Sequence, residues 1–304
     1  MTLAPCAAAS ALAAPSPRAR LRRWRPLRAL SESLGQTVAQ IFLALWAVIA
    51  LVPVLWAMVS SLKSDAEIFT SPWSLPDQLH WDNYARAWNE AHLGTFFVNT
   101  VVVVGGALAL TMLLGTMAAY ALGRFEFRLN RAIFLLFLVG LMFPIFLALV
   151  PLFDVVDQLG LLGTRIGLIL VLAAHDLPFT VFFLVGFFRV LPHTVAEAAR
   201  LDGCSHFQTY WRVMLPMARP GVTSVMIFNF LGLWNNYLLP LVLNPDPEKF
   251  VISQGLASLA VSQGYAADFS ALFAGLVLAM LPILAFYLAF HHQIQGGLTL
   301  GIRR

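Results

Sequence analysis

The sequence predicts an all-α integral membrane protein with six transmembrane helices and a structured cytoplasmic loop between the fourth and fifth. Three observations predict it. Of 304 residues, 60% are apolar and only 11% charged, against roughly 25% charged in a soluble domain, which leaves too little polar surface to cover a globule in water. The few charges are gathered into short stretches, leaving long uncharged runs between them. The basic residues fall mainly into alternate intervals between those runs.

Each run supplies the roughly 20 apolar residues that a helix needs to cross about 30 Å of hydrocarbon. The first, between Glu32 and Lys63, predicts a helix over about 37–62. The second, between Glu90 and Arg124, predicts 96–122, and the third, between Arg131 and Asp154, predicts 132–153. The fourth covers 166–188 and is interrupted only by Asp176. The fifth predicts 220–243 and the sixth 270–291. A β-barrel is excluded, since barrel strands alternate polar and apolar residues over about 10 positions and Ala132 to Val139 shows no alternation. In hydrocarbon a helix satisfies its own backbone hydrogen bonds.

An even number of spans puts both termini on one side. The N-terminal segment (Arg18 to Arg28), the Arg124 to Arg131 loop, the 189–219 loop and the C-terminal Arg303 and Arg304 together hold 15 basic residues, against 4 on the opposite face: Lys63, Arg86, Arg165 and Lys249. By the positive-inside rule both termini are cytoplasmic, in what we expect to be a bacterial inner membrane. The net charge of +4 therefore reflects an inner-leaflet bias, and no basic patch interleaved with aromatics suggests a nucleic-acid partner. Residues 1–35, rich in Ala, Pro, Ser and Arg, are expected to be a disordered basic tail. Their arginines follow the Ala7 to Ala14 stretch, the reverse of a signal peptide, so cleavage is not expected. Cys6 and Cys204 both fall on the cytoplasmic side and suggest neither a disulfide nor a metal site.

The loop at 189–219 carries helical grammar of its own. Thr194-Val-Ala-Glu197 and Ser205-His-Phe-Gln208 read as capping boxes, Gly203 between them as the left-handed end of a first short helix, and Leu215-Pro216 as the stop of a second. Ala196, Ala198 and Ala199 would admit a close partner, while Phe207, Tyr210, Trp211 and Met214 give the second helix an apolar side. Such a helix pair either rests on lipid headgroups or docks a cytoplasmic protein.

Glu197-Ala198-Ala199, Gly203 and Val213-Met214-Leu215-Pro216, taken with their spacing, resemble the EAA loop of permease subunits from binding-protein-dependent ABC importers. Phe187 to Pro192 before it, and Phe228-Asn229-Phe230 with Trp234-Asn235-Asn236 after it, resemble the carbohydrate branch. So do Ser61 to Ser64 with Glu67-Ile68-Phe69, Ala118 to Leu122, and Gly297-Leu298-Thr299. The pattern is most similar to the six-helix subunit of the maltose-type permease pair and covers residues from about 37 onward, so 36–304 is expected to be one transmembrane domain.

The resemblance implies that Glu197, Ala198, Ala199, Asp202 and Gly203 join a cytoplasmic ATPase, with Leu215 and Pro216 fixing the exit angle. It also implies a second, homologous permease, two ATPase subunits, an extracytoplasmic solute-binding protein that contacts 244–269, and a carbohydrate substrate. No cofactor is expected on this chain, ATP and Mg being used by the partner ATPase. Independently, a phosphate-binding G-x-x-x-x-G-K-[ST] loop needs its lysine, and the only two lysines, Lys63 and Lys249, follow no glycine-rich turn. His291-His292 lacks the His-Glu-x-x-His frame of a zinc site and no G-x-S-x-G elbow is present, so the chain is read as a transport subunit rather than an enzyme.

Polar residues within the spans are candidates for the translocation path. Asp176 lies mid-span, where a carboxylate costs about 2.5–3.5 kcal/mol on insertion scales, so it should face protein or water. His175, about 100° around the helix, is not expected on the same face. In the fifth span Asn229, Gly232 and Asn236 recur on one helical face, widened by Trp234, Asn235 and Tyr237. These amides and rings suit either sugar contact or helix packing. Gly105, Gly106 and Gly115, with Ala107, Ala109, Ala118 and Ala119, mark the second span as a close-packing surface. Trp73, Trp81, Tyr84 and Trp88 are expected as interfacial anchors or loop core. The alternatives are a proton-coupled secondary transporter using Asp176 and His175, for which no internal repeat is found, and an ABC permease for a non-sugar solute.

Overall fold

The computed structural model describes residues 25–262 and 268–300, with side chains over 36–261 and 268–290. Residues 1–24 with Cys6, Tyr265 in the outer segment, and the terminal Arg303 and Arg304 lie outside the described residues, as do the side chains of His291, His292 and Gly297 to Thr299. The chain divides into two units, 1–56 and 57–304. The first holds most of α1 (Arg25–Ser60), which starts inside the segment expected to be a disordered tail, so helical structure reaches back beyond the boundary at 36.

In the second unit every regular element among the described residues is helical. Two short helices come first, α2 (Asp65–Thr70) and α3 (Asp82–Asn89), followed by α4 (Leu93–Arg124), α5 (Asn130–Met142), α6 (Ile145–Gln158) and α7 (Arg165–Val190). The loop region holds α8 (His193–Leu201), α9 (His206–Thr209), a π-helical segment Tyr210–Met214 and α10 (Leu215–Met217). Then come α11 (Arg219–Trp234), α12 (Leu238–Leu243), a 3₁₀ turn Pro247–Lys249, α13 (Ile252–Ser262) and α14 (Phe269–Leu300).

Among the described residues, four helices are long and apolar enough to cross a membrane: Gln36–Ser60, Leu93–Arg124, Arg165–Val190 and Phe269–Phe290. The expected third and fifth spans are apolar but not continuous. The 132–153 run breaks at Phe143-Pro144, where α5 and α6 meet at 105°. Proline has no N–H and disfavours helical geometry in the residue before it, and Phe143 is accordingly extended at φ −74°, ψ 123°. The 220–243 run breaks at Asn235 to Tyr237. Asn235 Nδ2 donates to the Leu231 carbonyl at 2.8 Å and Asn236 Oδ1 accepts from the Leu239 N–H at 3.2 Å, so the two amides end one helix and start the next.

The α4–α7 pair forms the spine of this unit. A Cβ added to Gly115 would stand 2.4 Å from Thr180 Cγ2, one on Gly123 3.2 Å from Phe188 Cβ, and one on Gly106 2.9 Å from the Ile169 side chain. With Ala107 and Ala119 fully buried, the small residues let the two backbones approach as expected, although Gly105 faces open space. Apolar packing along the spine forms two clusters. One, around Val103, Leu168, Leu172, Phe230 and Trp234, lies toward α12 and α13. The other, around Tyr120, Leu184, Phe188, Tyr210 and Met214, lies beneath the loop region.

Among the described residues, the end opposite that loop is tied by polar contacts. Lys63 is fully buried, its Nζ donating to the Ser71 carbonyl at 2.8 Å, and Asn83 Nδ2 donates to the Ser61 and Lys63 carbonyls at 2.9 Å each. A Ser64/Glu67 capping box starts α2. The backbone N–H groups of Ser64 and Asp77 hold the Glu67 carboxyl below its ordinary pKa. Asn99 on α4 donates to the Glu248 and Phe250 carbonyls at 3.0 Å each, anchoring the segment that leads to α13. Of the expected aromatic anchors, Trp73 and Trp81 are exposed, whereas the Tyr84 hydroxyl bonds Ser61 Oγ at 2.8 Å and belongs to the loop core.

Candidate functional site

Two places gather the residues singled out in the sequence: the loop from α8 to α10, and a cavity between α5, α6, α7 and α11. In the loop, α8 closes on a left-handed corner. Gly203 has φ +84°. Its N–H donates to the Arg200 carbonyl at 3.0 Å and the Cys204 N–H to the Ala199 carbonyl at 3.0 Å, the paired bonds of a Schellman end. Ser205 then caps α9 through a complete box with Gln208, its N–H donating to Gln208 Oε1 at 2.9 Å. Arg200 donates to His206 Nδ1 at 2.9 Å across the corner.

The first capping box expected here is absent. Helix α8 begins at His193 after Pro192, with no side-chain cap, so Thr194 and Glu197 lie within it. A proline before the first turn already sets the extended entry that a capping residue would otherwise supply. Nor does Leu215-Pro216 stop the second helix. The chain runs from α9 through the π-helical Tyr210–Met214 into α10, and the break comes at Ala218. A proline costs the turn before it a backbone bond, and a wide turn directly upstream absorbs that loss.

Three side chains to which the sequence assigned no such contacts fasten the loop to the spine. Arg124, at the end of α4, donates to the carbonyls of Leu191 at 2.7 Å and Pro192 at 3.1 Å, clamping the entrance to α8. Tyr210 is buried, its hydroxyl 2.7 Å from Thr116 Oγ1 on α4, and its ring packs 5.2 Å from that of Tyr120. Burial raises the pKa of the Tyr210 phenol, which stays a neutral hydrogen-bonding group. The loop is thus a fixed lever on α4 and α7. Outward it offers Glu197, Ala198, Asp202 and Gly203, while Ala199 packs inward. Apolar groups stand out on both sides of the corner, Leu201 at 89% exposure and Phe207 at 60%. None of these three contacts had a signal in the sequence, since Arg124 borders the 124–131 connection and not the 189–219 loop it clamps.

The cavity measures about 850 Å³ and opens beside the α5–α6 bend. Among the described residues that line it, only His175, Asp176 and Asn229 are polar, and none is Lys or Arg. Asp176 and His175 do form a pair, contrary to the expectation from their 100° separation: His175 Nδ1 lies 2.9 Å from Asp176 Oδ1. Neighbouring side chains on a helix can lean toward each other when a cavity leaves both room. Asn229 is buried and bonded, donating to Thr180 Oγ1 at 2.7 Å, and Thr180 Oγ1 donates to the Asp176 carbonyl at 2.9 Å. A relay from α11 thereby fixes the turn of α7 that carries Asp176.

The remaining path candidates are placed elsewhere. Trp234 is buried, its Nε1 donating to the Ala279 carbonyl at 3.1 Å in a bond between α11 and α14. Asn235 and Asn236 are the caps described above. Because α11 ends at Trp234, Asn236 does not continue the face of Asn229 and Gly232. The structure brings together Asp176, His175, Asn229 and Gly232.

Residues 111–298 match the model of a family described as binding-protein-dependent transport system inner membrane component. The chain is 51% identical over 276 residues to the diacetylchitobiose uptake system permease protein NgcG of Streptomyces coelicolor, covering 91% of each. It is 32% identical over 268 residues to the probable ABC transporter permease protein YurM of Bacillus subtilis, covering 88% of each. Its fold matches a chain from the crystal structure of a bacterial ABC transporter involved in the import of the acidic polysaccharide alginate. That match has a TM-score of 0.77 and 22% identity, covering 86% of this chain and 97% of that one.

Proposed function

The chain belongs to the binding-protein-dependent transport system inner membrane component family, and from that premise we propose that it is the permease subunit of an ATP-driven saccharide importer with an uncharged acetamido disaccharide as its cargo. Family membership makes it a membrane-embedded transport subunit and not an enzyme, and it sets aside the proton-coupled alternative. The cargo follows from the relative at 51% identity, whose name specifies diacetylchitobiose uptake.

The observation that carries the mechanism is the loop at 189–219, a structured lever with an exposed apolar tip. Leu201, Phe207 and the exposed faces of Glu197, Ala198 and Asp202 would seat against a cytoplasmic ATPase, with Gly203 setting the angle of the joint. When two ATPase subunits close on ATP and Mg, the displacement passes through the Schellman corner, then through the Tyr210–Thr116 bond and the Arg124 clamp to α4, and along the chain at Leu191 to α7. Rigid-body movement of packed helices is how such a displacement becomes a change of access. In this reading a second permease completes the pathway and a soluble binding protein delivers the sugar to the end that carries α2, α3 and α13. Both termini then lie in the cytoplasm, the side on which 15 basic residues favour them.

Mild-detergent isolation of the tagged chain from its own membrane, with identification of co-purifying chains, tests the assembly. A permease homologue and an ATPase in stoichiometric amounts are expected. Recovery of this chain alone, under conditions that keep it folded, would contradict the reading.

A further inference from the structure

Taking the permease reading as its basis, we propose that the His175–Asp176 pair forms the polar end of a saccharide subsite in this chain's own part of the pathway, one that accepts uncharged or cationic sugars and turns away anionic ones. The cavity holding the pair has about 850 Å³, within the ~300–1,000 Å³ of small-molecule sites. Its rings are Phe143, Phe179 and Phe228, and the last two form an edge-on pair with centroids 6.3 Å apart. Aromatic faces against an otherwise apolar wall suit the C–H faces of pyranose rings and the methyl of an acetamido group.

Charge decides the selectivity. A carboxylate on a spanning helix does not face hydrocarbon without a large cost, so the open side of the cavity beside Asp176 faces water or protein. The Asp176 side chain is 15% exposed and that of His175 39%. An ionised carboxylate can only accept hydrogen bonds, so His175 Nδ1 carries the hydrogen between them. Nε2 of His175 and the second carboxylate oxygen are left for hydroxyl or N–H groups of a ligand. No Lys or Arg among the described lining residues offsets this charge, and a negative ligand group a few ångströms away would be repelled in a low-dielectric site. The Asn229–Thr180 relay ends on the Asp176 backbone carbonyl and so fixes the turn of α7 that carries the side chain, while the α5–α6 bend at Pro144 opens the wall opposite.

The test reads binding by the permease complex with no binding protein present, so that selectivity is not set upstream. The purified complex is dialysed against three labelled probes: N,N′-diacetylchitobiose, its doubly de-N-acetylated cationic form, and a diuronic acid. The readout is the ratio of cationic to anionic affinity. Asp176→Asn is expected to lower that ratio at least about tenfold, the size of one unscreened charge interaction at close range. An unchanged ratio overturns the proposal, as does failure of the wild-type complex to bind any of the three. If Asp176→Asn does not assemble, Asp176→Ser repeats the comparison with a smaller uncharged group. ATP-driven uptake by the intact system is measured separately, so failure of the subsite is distinguishable from failure of the permease reading.

Discussion

Replacing Gly203 with valine is expected to lower saccharide uptake by the assembled transporter at least about tenfold while leaving the amount of chain in the membrane unchanged, a loss set by the strain of a β-branched residue in the left-handed region. Nothing lies within 4 Å of where its Cβ would sit, so the substitution creates no clash with a neighbour. The whole effect comes from the backbone. At φ +84° valine is strained by about 1–3 kcal/mol, comparable to the two backbone bonds that close the corner. The corner would open and the lever lose its fixed angle. Asparagine tolerates the left-handed region better than valine does, because a short polar side chain can bond locally, so Gly203→Asn should fall between wild type and Gly203→Val. Uptake measured in membranes with matched subunit levels checks the order Gly, Asn, Val. Equal uptake by all three would show that the corner's geometry is irrelevant to transport.

Charging the apolar tip should act at the preceding step, assembly. Leu201 and Phe207 are exposed in this chain, and large apolar groups held out on a rigid element are the kind that anchor interfaces, with losses of about 2 kcal/mol or more on removal. Leu201→Asp with Phe207→Asp is expected to reduce co-isolated ATPase by about three orders of magnitude, the product of two such losses. Both side chains are at the surface, so the chain itself should remain folded and embedded. Undiminished co-isolation would mean that the ATPase contacts some other face. The two experiments separate the roles assigned to the loop: the double variant loses the partner, whereas Gly203→Val keeps it and loses the transmission.

The residues that were legible in the sequence are those whose physics is local. Four of the six apolar runs became continuous helices because length and apolarity suffice to specify a span. Gly203 and the Ser205–Gln208 box were found because each is a short-range device with a fixed spacing. The failures share a cause as well. Pro144 was passed over because the run around it is uniformly apolar, yet a missing N–H bends the chain whatever its surroundings. Asn235 and Asn236 were assigned to a helical face that stops before them; amides at a helix break cap the backbone groups the break exposes. Thr194 and Glu197 match the capping-box pattern but sit too late in the chain, because Pro192 already begins the helix.

Tertiary partners were beyond the reach of any pattern. Nothing in the spacing of Arg124, Thr116 or Tyr210 announces that they meet around the loop, and the Asn229–Thr180–Asp176 relay joins residues 49 positions apart in its first link. The close approach of α4 to α7 was foreseeable from the small residues on one helix, but its register follows from Gly115 meeting Thr180. That register places Asp176 at the cavity and not in the packed seam.

The central claim, that this chain is a passive gate moved by ATP hydrolysed elsewhere, is tested most directly by reconstituted uptake. Proteoliposomes containing the chain with its co-purified partners, supplied with the binding protein and labelled diacetylchitobiose, should accumulate the sugar only when ATP and Mg are present on the ATPase side. Liposomes containing the chain alone should accumulate none, with or without a proton gradient. Accumulation by the chain alone, or by the complete complex at an equal rate without ATP, would contradict the account.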